Sequence, residues 1–587
     1  MQPLTCYRLH DRLHGSVPDD LDEFIDIADQ APTVYGPVDY GDFIAKLYVS
    51  IGPPHPPGWA GFVREGFNAE PDPTTGTPDG AIVALPVTSS VGAAIVVKLA
   101  PEGSAFAFTF GVTGRFLLKH EAWLRGYGLK TALNLIYPRE GGGKGRLVAV
   151  DAKRRGEEIV RSRQQASRAT KFETFDVDKL RDLVGGATGS PHDHSWGKRI
   201  TGGDPLNFTA AIKFTGLGSL CRELVKAYER DDYKDRFGWL DWIQPVLDPL
   251  RLKRIEEDLI LQLLVGDNVN VDLAPPEIVD WPRVTGFQYH YEFRQTFSRP
   301  ELEISAYLRG LRYFERESDY VDVEYYRRKS IRALDSDENE IYRWSVWRCL
   351  TGEFEVDSAT YVIDEGSIFE VSSDYLAGLD GDLAKVDMQD DLDWPSATAN
   401  MDEDSFNRGT ASALAPAVLM DKKLVNSRMQ TTPVEVCDVL TVNRQLIHAK
   451  LKFGSRDLSH LFSQGFVSAT LLQSDSVFRA ATHKKIKELG GDDSFDFFNV
   501  ASLQAPDFEI IYVIVAPWKG RSLSEAMPFF SKVNLLRTIE DLTNRGFRVA
   551  VARIDTNREV PREKPASVLD RAHHSSARTV AEPSDAS

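Results

Sequence analysis

The sequence predicts an α+β protein divided into several domains, and three observations lead to this fold class. A chain of 587 residues is longer than a single hydrophobic core normally organises. Alternating or β-branched apolar runs, typical of strands, are interleaved with segments whose apolar residues recur every three or four positions, typical of helices. After residue 400 these patterns follow one another as helix, three strands, helix, strand, helix and strand. This order predicts an α/β mixed sheet flanked by helices.

The composition is that of an ordinary globular protein, with 42% hydrophobic and 27% charged residues. It excludes collagen-like, coiled-coil and largely disordered proteins. The four cysteines lie far apart without a C-x-x-C pair, which argues against a disulfide framework and a thiolate zinc site. The N-terminal residues have no apolar core of signal-peptide length, and the longest apolar runs are too short to span a bilayer. We therefore expect a cytoplasmic protein without membrane contact.

Four regions are predicted along the chain: 1–283, 284–380, 381–555 and 556–587. The first mixes strands, at 81–99 and 105–110, with helices between 217 and 265, and it ends in a proline-rich connector. The second is β-rich and carries many charges and aromatic residues. The last is rich in Pro, Ser and charge, a composition that predicts disorder.

The region 381–555 has the most regular pattern. Its predicted strands are 419–425 (LMDKKLV), 434–440 (VEVCDVL), 445–453, 508–516 and 547–554. Helices are predicted between 458 and 472, with Ser455 or Asp457 as the N-cap, and over 533–544. The run 508–516 is apolar throughout, which is typical of a strand buried on both faces.

Acidic and basic residues at the predicted hairpin point to phosphodiester chemistry. Hydrolysis of a phosphodiester needs carboxylates that hold a divalent metal and a lysine that stabilises developing negative charge. Glu403 precedes the first strand, Asp438 lies in VEVCDVL and Lys450 lies in LIHAK. This pattern resembles the PD-(D/E)XK superfamily of restriction-endonuclease-like nucleases. The resemblance implies a restriction-endonuclease-like domain at 381–555 with Mg²⁺ or Mn²⁺ as cofactor.

One position departs from the superfamily. His448 stands where the glutamate of E-x-K is expected, and histidine is a poor ligand for magnesium because hard cations prefer oxygen. Three explanations remain open: Glu435 replaces the missing carboxylate, the metal is softer, or the site does not cut. As a ligand or acid/base group, His448 is nevertheless a candidate catalytic residue.

The hairpin register decides which side chains meet. With a three-residue turn at 442–444, Asp438 lies opposite His448, and Lys450 is its diagonal neighbour. A two-residue turn would instead place Glu435 and Cys437 on the face of His448 and Lys450. Both registers stay open at this stage, and an ordinary cross-strand ion pair between Asp438 and Lys450 remains the simplest alternative.

Polar residues at the start of the following helix are a second candidate group. Ser459, His460 and Gln464 lie there, and a helix N-terminus with free backbone donors suits a phosphate. Gln464 is a candidate catalytic residue, and Ser459 and His460 are candidates for nucleic-acid binding. The alternative is a capped helix whose polar side chains face solvent.

The net charge of −18 argues against a surface that is basic throughout, but it permits a local basic patch. Residues 144–171 hold nine Lys or Arg against three acids, an excess of six positive charges. This stretch predicts contacts with the phosphates of DNA or RNA. The candidate residues are Lys153, Arg154, Arg155, Arg161, Arg163 and Arg168.

Six strings along the chain resemble an uncharacterised, sporadically distributed bacterial and archaeal family. They lie at 110–136, 163–186, 233–243, 274–281, 361–371 and 434–465, and VEVCDVL with LIHAKLKFGSRDLSHLFSQG is the most specific. The resemblance implies a link to mobile or defence gene neighbourhoods.

Together these patterns predict a nucleic-acid-binding, metal-dependent phosphodiesterase. The alternative is a non-catalytic binding or sensor module with a degenerate nuclease fold.

Overall fold

The computed structural model describes residues 2–9, 19–27, 31–52, 89–111, 113–119, 122–139, 145–155, 159–179, 182–266, 270–277, 279–292, 299–314, 321–398, 401–451 and 453–556. These residues form two compact units, one up to Leu376 and one from Ala377 onward. Among the helices in these ranges, none combines the length and the apolar character that a membrane crossing requires.

A ten-stranded sheet is the largest element of the first unit within the described ranges. Its strands are β1 (Gln2–Arg8), β2 (Thr33–Asp39), β3 (Phe43–Ile51), β4 (Val91–Leu99), β5 (Ala105–Phe110), β6 (Leu147–Arg155), β7 (Ile159–Thr170), β8 (Asp182–Gly189), β9 (Ile200–Gly202) and β10 (Leu206–Ala210). They lie in the order β2-β3-β4-β5-β1-β10-β9-β8-β6-β7, and the neighbours pair antiparallel.

Helices close the core of this sheet. They are α1 (Tyr127–Ile136), α2 (Leu217–Glu229) and α3 (Lys234–Phe237). Leu133 and Ile136 of α1 and Leu224 of α2 are buried with Phe106 and Leu206 of the sheet. The apolar residues of α2 recur every three or four positions, so they form one stripe that packs against the core.

Two smaller antiparallel sheets follow in the same unit. Their strands are β11 (Ile243–Pro245), β12 (Asn270–Leu273), β13 (Gly286–Tyr289), β14 (Ser330–Leu334), β15 (Glu340–Ser345), β16 (Leu350–Val356), β17 (Ala359–Asp364) and β18 (Ser367–Val371). One sheet has the order β11-β18-β17-β16-β12 and the other β13-β14-β15. The helices here are α4 (Pro249–Val265), α5 (Ile304–Phe314), α6 (Val323–Arg328) and α7 (Val346–Cys349). Because β12 pairs with β16, strands from both sides of residue 283 share one sheet.

The second unit contains a five-stranded mixed sheet. The strands of this unit are β19 (Ala417–Leu419), β20 (Leu424–Val425), β21 (Val434–Glu435), β22 (Val439–Thr441), β23 (Gln445–Lys450), β24 (Glu509–Ala516) and β25 (Arg548–Asp555). The sheet order is β19-β22-β23-β24-β25, with antiparallel pairs up to β23 and parallel pairs from β23 to β25. β20 and β21 form a separate two-stranded ribbon.

Helices lie on both faces of the mixed sheet. The helices from the end of the first unit onward are α8 (Ser373–Leu383), α9 (Glu403–Ala413), α10 (Ser455–Ser474), α11 (Ser476–Glu488), α12 (Leu523–Ala526) and α13 (Phe529–Asn544). On one face, Phe406 of α9 packs with Val439, Ile447 and Ile511. On the other, α10 and α13 pack with Leu446 and the strand β24. Every residue of β24 is therefore buried, as its apolar sequence predicts.

α10 approaches β24 closely because it carries a glycine at the contact. A Cβ atom at Gly465 would lie 2.4 Å from the hydroxyl of Tyr512, which is far shorter than van der Waals contact. The Tyr512 ring is fully buried, and its hydroxyl donates a hydrogen bond of 3.1 Å to the carbonyl of Phe462. A buried hydrogen bond therefore joins α10 to β24. At the contact, Gly465 occupies a position where there is no space for a side chain.

The α+β class with several sheets is confirmed. In the second unit, five strands rather than three follow α9, and α11 and α12 add to the predicted helices. The prediction of one strand over 419–425 is wrong, because a turn separates β19 from β20. The strand predicted over 434–440 is divided between the ribbon and the sheet. The N-cap of α10 is Gly454, not Ser455 or Asp457. Residues 81–88 and the tail beyond Thr556 lie outside the described residues.

We expect the substitution Gly465→Ala to lower the free energy of unfolding by about 1–3 kcal/mol, since an added methyl group displaces Tyr512 in a close-packed core. Guanidinium denaturation measures the change. Gly381→Ala is the matched control, because Gly381 is an exposed glycine of α8 with nothing near its missing Cβ. It should leave stability unchanged or raise it by up to about 1 kcal/mol. Equal stability of Gly465→Ala and wild type would contradict this account.

Candidate acidic site at the hairpin

Three carboxylates meet where the ribbon joins the mixed sheet. Asp421 lies in the turn between β19 and β20, Glu435 lies on β21, and Asp438 directly precedes β22. One carboxylate oxygen from each lies within 4.8 Å of the others. Asp421 and Asp438 are buried and Glu435 is half-buried. Leu424 lies opposite Glu435 in the pairing of β20 with β21, which brings Glu435 close to Asp421, 14 positions earlier in the chain.

Backbone hydrogen bonds hold this arrangement. The carbonyl of Asp438 accepts from the amides of Met420 and Asp421, at 2.7 and 3.0 Å. The amide of Asp438 donates to Ile447 at 2.9 Å, and its Oδ2 accepts from the amide of Ala449 at 2.7 Å. Val439 and Ile447 form the last residue pair of the antiparallel ladder between β22 and β23. Beyond this pair, the side chain of Asp438 accepts the hydrogen bond from the amide of Ala449. The position of this carboxylate is therefore set by main-chain contacts.

Lys422 holds the second carboxylate. Its backbone amide donates to Glu435, and its φ of 59° places it in the left-handed region that a tight turn requires. Its side chain is 74% exposed, with the ammonium 3.6 Å from Asp421. The turn therefore directs two positive groups toward the acidic cluster. The Lys422 amide has a partial positive charge, and the Lys422 ammonium has a full one.

The cluster concentrates negative charge away from water. Burial raises the pKa of Asp438 well above its usual value, and the neighbouring charges of Glu435, Asp421 and Glu403 add to the increase. The hydrogen bond from Ala449 opposes the increase. The pKa of Glu435 is also raised, first by burial and then by Asp421 and Glu403. A bound cation would relieve this repulsion.

The donor set fits a hard divalent cation. The group offers carboxylate oxygens and no nitrogen or sulfur, which is the ligand chemistry that Mg²⁺ and Mn²⁺ prefer. Two of the three predicted metal ligands, Asp438 and Glu435, belong to it. Glu403, the third predicted ligand, lies in the first turn of α9. Its negative charge contributes to the raised pKa of Asp438 and of Glu435.

Lys450 contacts Glu403, whose charge acts on Asp438 and Glu435. Its ammonium lies 3.3 Å from the Glu403 carboxylate at the end of β23. The Lys450 side chain is 18% exposed and that of Glu403 is 35% exposed, so solvent reaches both groups.

The observed pairing corresponds to a three-residue turn at 442–444, with Val439 opposite Ile447 and Leu440 opposite Leu446. In this register His448 points into the protein beside Tyr512, with the two rings 6.1 Å apart. Burial lowers the pKa of His448 to about 3, so the ring is neutral. Its Nε2 has no hydrogen-bond partner among the described residues. His448 is not a member of the acidic group.

The polar residues of α10 are placed differently from one another. Ser459 is buried, and its hydroxyl accepts a hydrogen bond of 2.9 Å from the Asn534 side chain on α13. It therefore contributes to the contact between two helices. His460 and Gln464 are half-buried on the same helix. Their contact with nucleic acid or with a reacting group remains a prediction.

Much of the basic stretch forms the hairpin of β6 and β7, and carboxylates neutralise four of the six candidate residues. Ion pairs join Lys153 to Asp364, Arg154 to Asp182, Arg161 to Glu365 and Arg163 to Asp151. Arg168 is exposed, and the part of the chain that the structure describes contains no ion pair to it. The side chain of Arg155 lies outside the described residues. Phosphate binding by this hairpin remains a prediction, but only part of its charge is available for it.

Asp421 was not predicted as a site residue. It lies in LMDKKLV, which the sequence predicts as one strand. Three charged residues interrupt the apolar pattern there, and the structure separates the two strands at these residues. Its closeness to Glu435 and Asp438 depends on the ribbon, which no local pattern specifies.

A family model described as a family of unknown function, DUF6119, matches residues 4–555. The chain belongs to the DUF6119 family. The match spans both units, and it confirms the predicted resemblance to an uncharacterised family over nearly the whole chain. No curated protein matches the sequence. The three residues of the acidic cluster, Asp421, Glu435 and Asp438, lie within the range that the DUF6119 model matches.

We expect Asp438→Asn to stabilise the metal-free protein at neutral pH. Because the pKa of Asp438 is raised in the folded state, wild type loses stability as the pH rises above the unfolded value of about 3.9. The amide keeps the acceptor for Ala449 and removes the charge. Thermal unfolding in a chelating buffer between pH 4 and pH 8 should show a stabilisation that grows with pH.

Asp475→Asn is the control of opposite sign. Burial of Asp475 would raise its pKa, but hydrogen bonds from Arg428, Ser427 and the start of α11 hold the pKa below its usual value. The ionised form therefore stabilises the fold, and this stability is lost as the pH falls. Asp475→Asn should destabilise the protein at neutral pH. A destabilised Asp438→Asn protein would contradict the assignment of a strained carboxylate.

Proposed function

We propose that this protein is a metal-dependent phosphodiesterase that acts on nucleic acid. The observation that carries the proposal is the grouping of Asp421, Glu435 and Asp438 within 4.8 Å, with Lys450 held nearby by Glu403. Such a combination of hard oxygen ligands and a solvent-accessible lysine matches the requirements of phosphodiester hydrolysis. By contrast, hydrolases that attack their substrate with a Ser or Cys side chain do not need a cluster of carboxylates.

Each residue has a distinct task in this proposal. A divalent cation at the site would withdraw charge from phosphorus and lower the pKa of bound water. Asp421, Glu435 and Asp438 bind the cation, and their mutual repulsion favours its uptake. Lys450 donates to a phosphoryl oxygen whose negative charge grows in the transition state. Glu403 positions the ammonium of Lys450 by their contact of 3.3 Å.

The order of the elements supports the same assignment. Helix α9 carries the acidic residue, strands β19, β22 and β23 form the antiparallel part, and α10 leads to the parallel strand β24. This sequence of elements resembles the restriction-endonuclease-like superfamily. The proposed cluster lies at the hairpin, where that superfamily carries its metal ligands.

Exposed cations in the segment between Asp421 and β21 favour a polyanionic substrate. Lys422 and Lys423 follow Asp421 directly, and Arg428 lies between β20 and β21. All three are exposed in a chain whose net charge is −18. We therefore propose that DNA or RNA lies along the ribbon. The implied link to defence neighbourhoods makes foreign nucleic acid the proposed target.

A second candidate function is a non-catalytic binding or sensor module. The observation in its favour is His448, which occupies the position of the glutamate in E-x-K and is buried as a neutral ring. A module of this kind would bind nucleic acid without taking up a cation through Asp438. Calorimetric titration with Mn²⁺ separates the two functions, because only the nuclease requires uptake that Asp438→Asn abolishes.

We expect Lys450→Ala to abolish cleavage of single- and double-stranded DNA and RNA in Mg²⁺ or Mn²⁺ while Mn²⁺ binding persists, since the ammonium stabilises the transition state and does not bind the cation. Gel assays and calorimetry measure the two properties. Lys484→Ala, at an exposed lysine of α11 paired with Glu488, is the control and should cut like wild type. Undiminished cutting by Lys450→Ala would remove this lysine from the proposed site.

The double substitution Lys423→Glu and Arg428→Glu should weaken nucleic-acid binding. Each lost phosphate contact reduces the slope of log affinity against log salt by about 1. Fluorescence anisotropy in EDTA measures affinity without cleavage. Arg168→Glu tests the basic hairpin of the first unit in the same assay. A larger loss with Arg168→Glu than with the double variant would transfer the proposed interface to that hairpin.

A further inference from the structure

The three-stranded sheet of β13, β14 and β15 has one face in the core and one face that solvent reaches. The core face carries Phe287, Tyr289, Ile331, Ala333 and Trp344. Because side chains alternate between the two faces of a strand, the residues next to these positions point the other way. The second face therefore carries six polar side chains, which we call the polar face: Gln288, His290, Ser330, Arg332, Arg343 and Ser345. Each of the six is half-buried or exposed.

The strand register arranges the polar face in rows across the sheet. Gln288 lies opposite Arg332, and Arg332 lies opposite Arg343, so two arginines are direct cross-strand neighbours. In the next row, Ser330 lies opposite Ser345. Like charges directly opposite each other in an antiparallel pair destabilise a sheet. The arginine pair therefore needs negative charge beside it.

The fold supplies only one carboxylate to this arginine pair within the described residues. Glu340 lies 2.9 Å from Arg332 and 2.7 Å from Arg343, so the three groups together keep one positive charge. The side chains of Arg332 and Arg343 are 30% and 54% exposed, and solvent reaches both. On the hairpin of β6 and β7, by contrast, each paired cation has a carboxylate of its own.

The imidazole of His290 shows that the potential on this face is positive. Its Nε2 lies 3.3 Å from Oε1 of Gln288, which places the ring on the polar face. Burial lowers the pKa of His290, and the charges of Arg332 and Arg343 lower it further. Glu340 acts in the opposite direction, but its effect is smaller than that of the two arginines together.

Two further cations adjoin the polar face at the start of β14. Arg328 and Lys329 directly precede Ser330, and both pair with Glu292. The Arg328 side chain is 64% exposed. One carboxylate again serves two cations, so the excess of positive charge continues along this end of the sheet.

The acidic residues of the β14–β15 hairpin lie at the opposite end of the sheet. Asp335, Asp337 and Glu338 belong to the turn that joins the two strands, whereas Ser330 and Ser345 lie at their other ends. Asp335 is engaged within the turn, where it accepts a hydrogen bond of 2.9 Å from the amide of Asp337. The positive end of the face is therefore open to an anion.

We propose that the polar face binds nucleic acid in the first unit, with Arg332 and Arg343 in contact with the phosphates of one strand. Guanidinium groups bind phosphate through paired hydrogen bonds, and a phosphate supplies the negative charge that the arginine pair lacks. The Ser, Gln and His side chains beside them are suited to sugar and phosphate oxygens. This inference rests on the proposed function for its class of ligand.

The test measures the affinity of the full-length protein for fluorescent single-stranded DNA and RNA in EDTA by anisotropy. Combining Arg332→Gln with Arg343→Gln should weaken binding about tenfold or more. It should also reduce the slope of log affinity against log salt by about 2, since two phosphate contacts are lost. Glu340→Gln should strengthen binding, because it releases both arginines to the ligand. Arg254→Gln, at an exposed arginine of α4 paired with Asp357, is the matched control and should bind like wild type.

The two directions of change separate binding from a structural role. A purely structural ion-pair network would lower the unfolding temperature of the double variant and of Glu340→Gln and leave both affinities unchanged, which would overturn the inference alone. Glu340→Gln keeps both arginines, so its affinity tests the proposal even where the double variant folds poorly. Binding of a polyglutamate peptide as tightly as the oligonucleotides would overturn it too, because the face would then recognise acidic protein.

The assay in EDTA is independent of the acidic cluster. Absence of Asp438-dependent Mn²⁺ uptake, together with weaker binding by the double variant, would overturn the metal-dependent function and leave this inference in place. Failure of wild type to bind either nucleic acid would overturn both.

Discussion

Electrostatic repulsion among buried carboxylates is the constraint on which the candidate site depends. Asp421, Glu435 and Asp438 are brought together by main-chain hydrogen bonds, and their charges reinforce one another where water is scarce. The fold compensates only in part, through the amides of Lys422 and Ala449. Such a site gains affinity for a cation, because a bound cation offsets the repulsion between the carboxylates that the fold holds close together.

The mixed sheet makes this arrangement rigid. Its strand β24 is buried on both faces, and Gly465 allows α10 to lie directly on Tyr512. The hairpin of β22 and β23 is paired on both sides, with β19 and with β24, and a packed core supports it. The main-chain hydrogen bonds of Asp438 and Lys422 connect the carboxylates to this support. His448 belongs to the support, since its neutral ring packs beside Tyr512.

The two groups of cations differ in what surrounds them. On the hairpin of β6 and β7, carboxylates of the same unit face Lys153, Arg154, Arg161 and Arg163, so a large formal charge yields a small free charge. Beside the ribbon strands in the sequence, Lys423 and Arg428 are exposed. A count of Lys and Arg along the sequence assigns more positive charge to the hairpin of β6 and β7 than to the residues near the ribbon. The charge available to a phosphate depends, however, on the neighbours of each side chain.

The sequence by itself determined the α+β class, the strands β23, β24 and β25 of the second unit, and the presence of Glu403, Asp438 and Lys450 near one hairpin. These features follow from local periodicity and from turn lengths, which act over a few residues. The tertiary structure alone decided that Asp421 joins Glu435 and Asp438, that His448 faces the core, and that Lys153, Arg154, Arg161 and Arg163 of the basic stretch are paired. Each of these outcomes depends on residues that come from separate elements. Strand pairing in the ribbon and ion pairs across the first unit arise only when these elements pack, so no short pattern in the sequence specifies them.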